Sequence, residues 1–368
     1  MPVLRENCRR GDAAREYPEE LIDLLRANGM FNLFTPREYG GFQVSMTTYL
    51  DVTAELSRGD ATAGWLAIVI NGIAMQINKL SAQAKNEVWG SGPDAKFCGT
   101  LTPSGETKRV DGGYVVTGEF GWGSGSHVAD WAILSVLLPG GDGGLGPGAV
   151  LVPRESWTIT DTWHTLGMRG TASNTLSVED AFVPDYRVFS MMADDPSQEL
   201  PYSVPMAPFS ALWPTPVPLG IARNALDIAR GQLPKRGAVS YSSHLRQMES
   251  TAAQMELACA AVKIDAADAL LHKAAATVDD FGRRHAMPDL ETRARIKMEC
   301  AYAAQQTRLA VNEIVEIIGA SAAADFNPLQ QVFRDMWTSS LHGLFRPSNA
   351  AEVYGRVLLG LDPGIALV

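Results

Sequence analysis

The side chains able to move protons near neutral pH are six histidines, since only imidazole titrates there without help from its surroundings. His342 lies in the last helically patterned stretch of the chain, a few residues past Arg334-Asp335. It is either a group that accepts or returns a proton in a reaction, or a histidine satisfied within a helix. His127, His164, His244, His272 and His285 read as ordinary surface or loop residues. Arg169 carries a planar fork of donors that suits either a surface carboxylate or a phosphate group. The cysteines Cys8, Cys98, Cys259 and Cys300 are far apart and form no CxxC or Cys/His spacing. No metal site is expected from them, and they read as reduced, mostly buried thiols. The run from Gly140 to Gly148 lacks the GxxxxGK(S/T) pattern and following helix of a phosphate loop. Gly40-Gly41 is a turn, and no NAD(P)H-binding motif is recognisable.

The bulk numbers narrow the setting. A chain of 368 residues with 46% hydrophobic and 20% charged side chains reads as a soluble globular protein of two or three domains, or one large layered unit. A net charge of −10 argues against a nucleic-acid surface. The first residues lack the apolar core of a signal peptide, and the apolar stretch 65–70 is too short to span a bilayer. A cytoplasmic protein without membrane or nucleic-acid partners is the expectation.

Positioning falls to three regions. Residues 1–95 read as a helical domain. Pro18-Glu19-Glu20 opens a helix that carries Leu21, Leu24 and Leu25 and closes at Gly29, and further helices are expected over 47–57, 61–80 and from Ser81 to Trp89. The 61–80 helix is apolar on most faces, hence buried. Residues 96–200 read as a β domain. Asp111-Gly112-Gly113 marks a hairpin between strands 107–110 and 114–118, and strands follow over 131–138, 149–152, 157–161 and 175–183, making a small barrel or sandwich. Little order is expected for Gly140-Gly141-Asp142-Gly143-Gly144. Residues 201–368 read as a helical bundle, with helices near 219–232, 244–276, 289–318 and 328–343. The connector 201–218 holds six prolines. Its Phe209 and Trp213 either line a pocket and stack on a substrate ring or simply pack.

Five segments in this order resemble the acyl-CoA dehydrogenase superfamily. They are Phe34-Thr35-Pro36-Arg37-Glu38-Tyr39-Gly40-Gly41, Glu55-Leu56-Ser57-Arg58-Gly59-Asp60-Ala61-Thr62-Ala63-Gly64-Trp65, Gly118-Glu119-Phe120-Gly121-Trp122-Gly123-Ser124-Gly125-Ser126 ending at Asp130-Trp131, Gly167-Met168-Arg169-Gly170-Thr171-Ala172-Ser173 followed by Val178-Glu179-Asp180 and Val183-Pro184, and Phe333-Arg334-Asp335. The resemblance spans nearly the whole chain. It implies an N-terminal helical domain, a middle β-barrel and a C-terminal four-helix bundle, assembled as a homotetramer.

Within the superfamily the chain resembles the oxygenase component of two-component (group D) flavin-dependent monooxygenases. Where many dehydrogenases carry a glutamate base, eight residues past the Arg-Asp pair, this chain has Gly343, beside His342. The resemblance implies reduced flavin (FMN or FAD) supplied by a separate NAD(P)H-dependent reductase, and O2 as co-substrate. Reaction runs through a C4a-(hydro)peroxyflavin, with His342 deprotonating a phenol or managing the peroxide proton. It also implies that Ser124 hydrogen-bonds flavin N5 and that Trp122 stacks on the ring. Thr100 and Thr102 would line the ring edge, and Arg169, Thr171 and Ser173 would complete the cofactor site. Asn71 stands where some oxygenases have a second histidine; it can bind an oxygen but cannot act as a base. The expected substrate is aromatic or polyketide-like. The alternatives are an acyl-CoA dehydrogenase with a displaced base, an N-oxygenase acting on an amine or amino sugar, and a flavin-free scaffold or binding module.

Overall fold

The computed structural model describes residues 2–139, 145–190, 199–365 and 368; the Gly140–Gly144 loop lies outside them. The helices α1 (Pro2–Ala14), α2 (Glu19–Ala27), α3 (Met46–Gly59), α4 (Ala61–Ile77) and α5 (Ala82–Trp89) come first. Local chemistry starts three of them. The side chains of Ser45, Asp60 and Ser81 accept the amide hydrogens of Thr48, Thr62 and Ala84, which a new helix otherwise leaves unpaired. Every residue of α4 except Ile73 is buried, as its apolar run requires. It stops at Ile77, three residues short of the span its sequence suggests.

The strands are β1 (Phe97–Gly99), β2 (Glu106–Val110), β3 (Gly113–Gly123), β4 (Trp131–Pro139), β5 (Leu145–Pro153), β6 (Thr158–Thr160), β7 (Asn174–Pro184) and β8 (Val188–Phe189). Val110 pairs with Gly113 across the two-residue turn Asp111-Gly112, and Gly112 takes the positive φ of 73° that glycine tolerates. The strands form two four-stranded sheets, ordered β1-β4-β5-β8 and β2-β3-β7-β6. A shared core lies between them, with Leu134 and Val150 from one sheet and Phe120 and Leu176 from the other. The pairing is antiparallel except between β1 and β4.

Helices resume with α6 (Met206–Leu212), α7 (Pro216–Gln232), α8 (Thr251–Arg283), α9 (Leu290–Ile318), α10 (Pro328–Ser340) and α11 (Pro347–Leu358). α7 to α10 make the bundle, and α3 lies against α7 and α8. The second bundle helix runs about two turns further along the chain than its pattern suggests, because the segment before it is tied into turns. α10 ends at Ser340, so His342 is not a helical residue. α1, α6, α11, β1 and β8 have no counterpart in the sequence pattern. Two of these are too short to show a period, and α1 and α11 are polar outside one narrow stripe.

Small residues let the helices close up. A Cβ on Gly220 of α7 would fall 2.2 Å from the Ala54 carbonyl oxygen and 2.5 Å from the Ser57 Cβ, both on α3. Gly231, later in α7, has nothing within 4 Å of such an atom. Gly220→Ala should therefore force α3 and α7 apart and cost about 1–3 kcal/mol, the usual cost of overpacking. Gly231→Ala should stabilise by about 0.5–1 kcal/mol through helix propensity. Urea unfolding of the two variants tests the packing: equal midpoints would contradict it.

Candidate active site

A cavity of about 660 Å³ opens where α4, the end of β3, the loop 163–173, the α6–α7 connector and the turn after α10 meet. Its wall is mostly apolar, with Val69 and Ile73 from α4, Trp213 from the connector and Trp337 from α10. Among the described residues His342 is the one acid–base side chain on this wall; no Asp, Glu, Lys or Arg lines it.

β3 is bent as it reaches the cavity. Its pairing with β7 slips between Phe120 and Gly123, so that Gly121 and Trp122 form a bulge facing the opening. Trp122 has φ 71°, a left-handed conformation that a bulky residue avoids unless the surroundings hold it there. Its indole remains 73% exposed, with its edge against Trp163 at a centroid distance of 5.3 Å. A flat apolar ring held out beside an apolar cavity fits the face of a planar cofactor.

Behind Trp122 runs a chain of hydroxyls. The Trp65 indole N–H donates to Ser124 Oγ at 3.0 Å. Ser124 Oγ lies 2.7 Å from Ser173 Oγ, which lies 2.7 Å from Thr171 Oγ1. The Thr171 hydroxyl donates to the Met168 carbonyl at 2.8 Å. Ser124, Thr171 and Ser173 are buried yet line the cavity. Thr100 is buried on the wall, and Thr102 is exposed at the rim.

The loop that supplies this chain is fixed to α10. Asp335 Oδ1 accepts the Met168 amide at 2.6 Å, and Thr338 Oγ1 accepts that of Gly167 at 2.9 Å. A Cβ on Gly167 would sit 2.1 Å from the Arg334 carbonyl oxygen, so only glycine allows this approach. Arg334 holds Asp12 of α1 through two bonds, at 2.9 and 2.8 Å, and also donates to the Leu166 carbonyl. Two of the sequence segments that carry the family resemblance are thus in contact with each other. Burial pushes the Asp335 carboxyl up to about 7, with the Met168 amide opposing and the nearby Asp60 adding to the rise.

His342 caps the turn Gly343–Phe345, its Nδ1 facing the Leu344 amide at 3.4 Å. Its ring meets Trp65 edge-on at 5.7 Å and Phe345 at 6.0 Å. Burial among these groups lowers its pKa, which keeps the imidazole neutral at neutral pH. Gly343 also lines the cavity and has open space where a side chain would point.

Three predicted site residues fall elsewhere. Asn71 is fully buried and spends its side chain on the backbone: it donates to Met30 and Ala67 carbonyls and accepts from the Phe34 amide. Phe209 is buried against Phe34 at 6.2 Å rather than on the wall. Arg169 is not on the cavity wall; its Nε donates to the Asp12 backbone carbonyl at 3.0 Å and lies 3.8 Å from the Asp12 carboxylate. His127 also lies off the wall, next to Asn174 and Glu16. The sequence reading did not single out Trp65, Trp163, Met168 or Trp337. A tryptophan amid the small and aliphatic residues of α4 was the available signal, since a buried indole N–H needs an acceptor.

Two family models match the chain: Acyl-CoA dehydrogenase, N-terminal domain, over residues 3–90, and Acyl-CoA dehydrogenase, C-terminal domain, over residues 212–347. A pigment production hydroxylase of Rhodococcus sp. is 32% identical across 98% of this chain and 94% of its own length. The oxygenase component of p-hydroxyphenylacetate 3-hydroxylase from Acinetobacter baumannii is 28% identical across 100% of this chain and 89% of its own. Among solved structures, XiaF from Streptomyces sp., in complex with FADH2 and glycerol, aligns with a TM-score of 0.94 at 29% identity, covering 100% of this chain and 94% of that one. Fold and comparisons together define the acyl-CoA dehydrogenase class. Within that class, the chain belongs to the family of oxygenase components of two-component flavin-dependent monooxygenases.

The Asp335 anchor sets a pH dependence. In the fold its carboxyl keeps a proton up to about pH 7, while an unfolded chain releases it near 3.8. Between these values the folded state binds more protons, so stability falls as pH rises. Asp60, raised to about 6, acts in the same direction. Asp335→Asn keeps an acceptor for Met168 and should flatten the fall in melting temperature from about pH 4 to about pH 7. An unchanged slope in thermal melts across that range would refute the assignment.

Proposed function

We propose that the cavity binds a reduced flavin and a small aromatic alcohol side by side, and that His342 takes the substrate's hydroxyl proton. The observation that carries this reading is that His342 is the one acid–base side chain on the wall among the described residues. A dehydrogenase acting on an acyl thioester needs a carboxylate base, and the described wall offers none. Bound flavin in its reduced form, with O2, supplies the oxygenating power. The rest falls to the protein. The Trp122 indole offers a stacking face, Thr100 and Thr102 border the ring edge, and Ser124 meets flavin N5. Val69, Ile73, Trp213 and Trp337 exclude water from the reacting centre. Neutral His342 accepts the phenolic proton at Nε2 in the tautomer that carries its own proton on Nδ1, giving up the long 3.4 Å contact with the Leu344 amide, and loss of that proton raises electron density on the aromatic ring that is to be oxygenated. Trp65 joins the two halves, bonding Ser124 through its N–H while its ring steadies the His342 imidazole.

Relatives named for p-hydroxyphenylacetate and resorcinol support a phenolic substrate. Their names as oxygenase components also support a separate flavin reductase as functional partner. A homotetramer in the cytoplasm completes the proposal; no helix among the described residues is long and apolar enough to cross a membrane.

The test mixes protein carrying reduced FMN or FAD with O2 and either p-hydroxyphenylacetate or resorcinol, then measures oxygenated product against H2O2. Wild type should give oxygenated product. His342→Ala should lower the product fraction about a hundredfold, the scale of a lost general base, while leaving reduced-flavin affinity nearly unchanged. Product formation by wild type should decline as pH falls through an imidazole pKa below the ordinary 6.5, where His342 becomes protonated and can no longer accept. Equal product fractions in wild type and His342→Ala would remove the histidine from the mechanism.

A further inference from the structure

The hydroxyl chain behind the cavity has a direction, set by which of its atoms can only accept. At its far end stands the Met168 carbonyl, which has no proton to give and receives the Thr171 hydroxyl at 2.8 Å. Thr171 has thereby used its single proton, so it accepts from Ser173, 2.7 Å away. Ser173 has then used its own and accepts from Ser124, also at 2.7 Å. Ser124 receives the Trp65 indole N–H at 3.0 Å, and an indole N–H can only donate. Every proton is committed, and Ser124 keeps one lone pair for the cavity that it lines. Thr171, Ser173 and Ser124 are 1%, 4% and 7% exposed, so bulk water does not scramble the order. The Met168 carbonyl also takes the Trp163 indole N–H at 3.0 Å, and Asp335 holds the Met168 amide.

We propose that Thr171 and Ser173 are positioning residues that turn Ser124 into an obligate acceptor, so that the site selects reduced over oxidised flavin. This rests on the reading that flavin N5 meets Ser124. Reduced flavin carries a hydrogen on N5 and donates to the free lone pair. Oxidised flavin presents a lone pair at N5, and two acceptors facing each other in a dry site repel. A chain of opposite polarity, in which Thr171 donated to Ser173, would make Ser124 a donor to the cavity and favour oxidised flavin. For an oxygenase fed by a separate reductase, the first polarity loads the competent form and releases the spent one.

The experiment is a pair of binding titrations on the full chain, with reduced FMN and FAD under anaerobic conditions and with the oxidised forms, read as the ratio of the two dissociation constants. Wild type should bind the reduced form more tightly. Ser173→Ala releases the Ser124 proton toward the cavity, so the ratio should shrink about tenfold, mainly through tighter binding of oxidised flavin. Thr171→Val should act in the same sense, since Ser173 would then donate to Ser124. Ser173→Thr and Thr171→Ser keep the hydroxyls and should restore the wild-type ratio. A gain in oxidised-flavin affinity cannot come from misfolding. An unchanged ratio in Ser173→Ala, or a wild type that binds oxidised flavin as tightly as reduced, overturns the proposal while leaving the flavin reading standing. No binding of either form overturns both.

Discussion

The bond between the Asp335 carboxyl group and the Met168 amide is the contact on which the site depends. It joins the middle of a bundle helix to a loop of the β domain, across 167 positions of sequence. Met168 sits at φ 54° and Ala172 at φ 44°, so this loop is held in a conformation that its residues would not choose alone. The anchor consists of one buried acceptor, one hydroxyl acceptor on Thr338 and a glycine that lets the two backbones touch. Without it, the Met168 carbonyl has no fixed place, and the hydroxyl chain ending there loses its fixed end.

Strain elsewhere around the cavity has the same logic. The bulge in β3 gives up regular pairing at Gly121 and Trp122 to turn an indole outward, and Trp163 supports that indole from the side. Trp163 in turn donates to the Met168 carbonyl, so the stacking face and the hydroxyl chain share a support. Trp65 reaches from the opposite side, where α4 is buried on nearly all faces and therefore rigid. The indoles and hydroxyls on this part of the wall thus hold one another in place. This is the preorganisation that a reaction easily diverted to peroxide release requires.

The charge pattern fits this arrangement. Among the described residues the wall has no charged side chains, while the acids that matter lie one layer behind it: Asp335, Asp60 and Asp12 occupy neighbouring positions around α1, α4 and α10. Asp12 is neutralised by Arg334, Asp60 receives the Tyr17 hydroxyl and the start of α4, and Asp335 receives the loop. The family signature Arg-Asp is therefore structural in both of its members, the arginine fastening α1 and the aspartate fastening the cavity loop.

Much of this was legible in the sequence, and the reason is locality. Helix caps, the Asp111-Gly112 hairpin and the buried run of α4 are set by neighbours within a few residues, so they could be read without the fold. The order of helices, strands and helices, with its ordered motifs, pointed to the family, and through it to Trp122, Ser124, Thr100, Thr102, Thr171, Ser173 and His342, while the aromatic connector pointed to Trp213; all of these line the cavity. The tertiary structure alone decided which polar residues were already spent. Asn71 is of a type that binds ligands, yet backbone groups, two of them distant in sequence, occupy it first. Phe209 looked like a substrate contact because its connector is aromatic, and packing against Phe34 took it. The absence of a carboxylate from the described wall, the place of His342 beyond the helix end and the direction of the hydroxyl chain depend on contacts between segments far apart in sequence, and no local pattern records them.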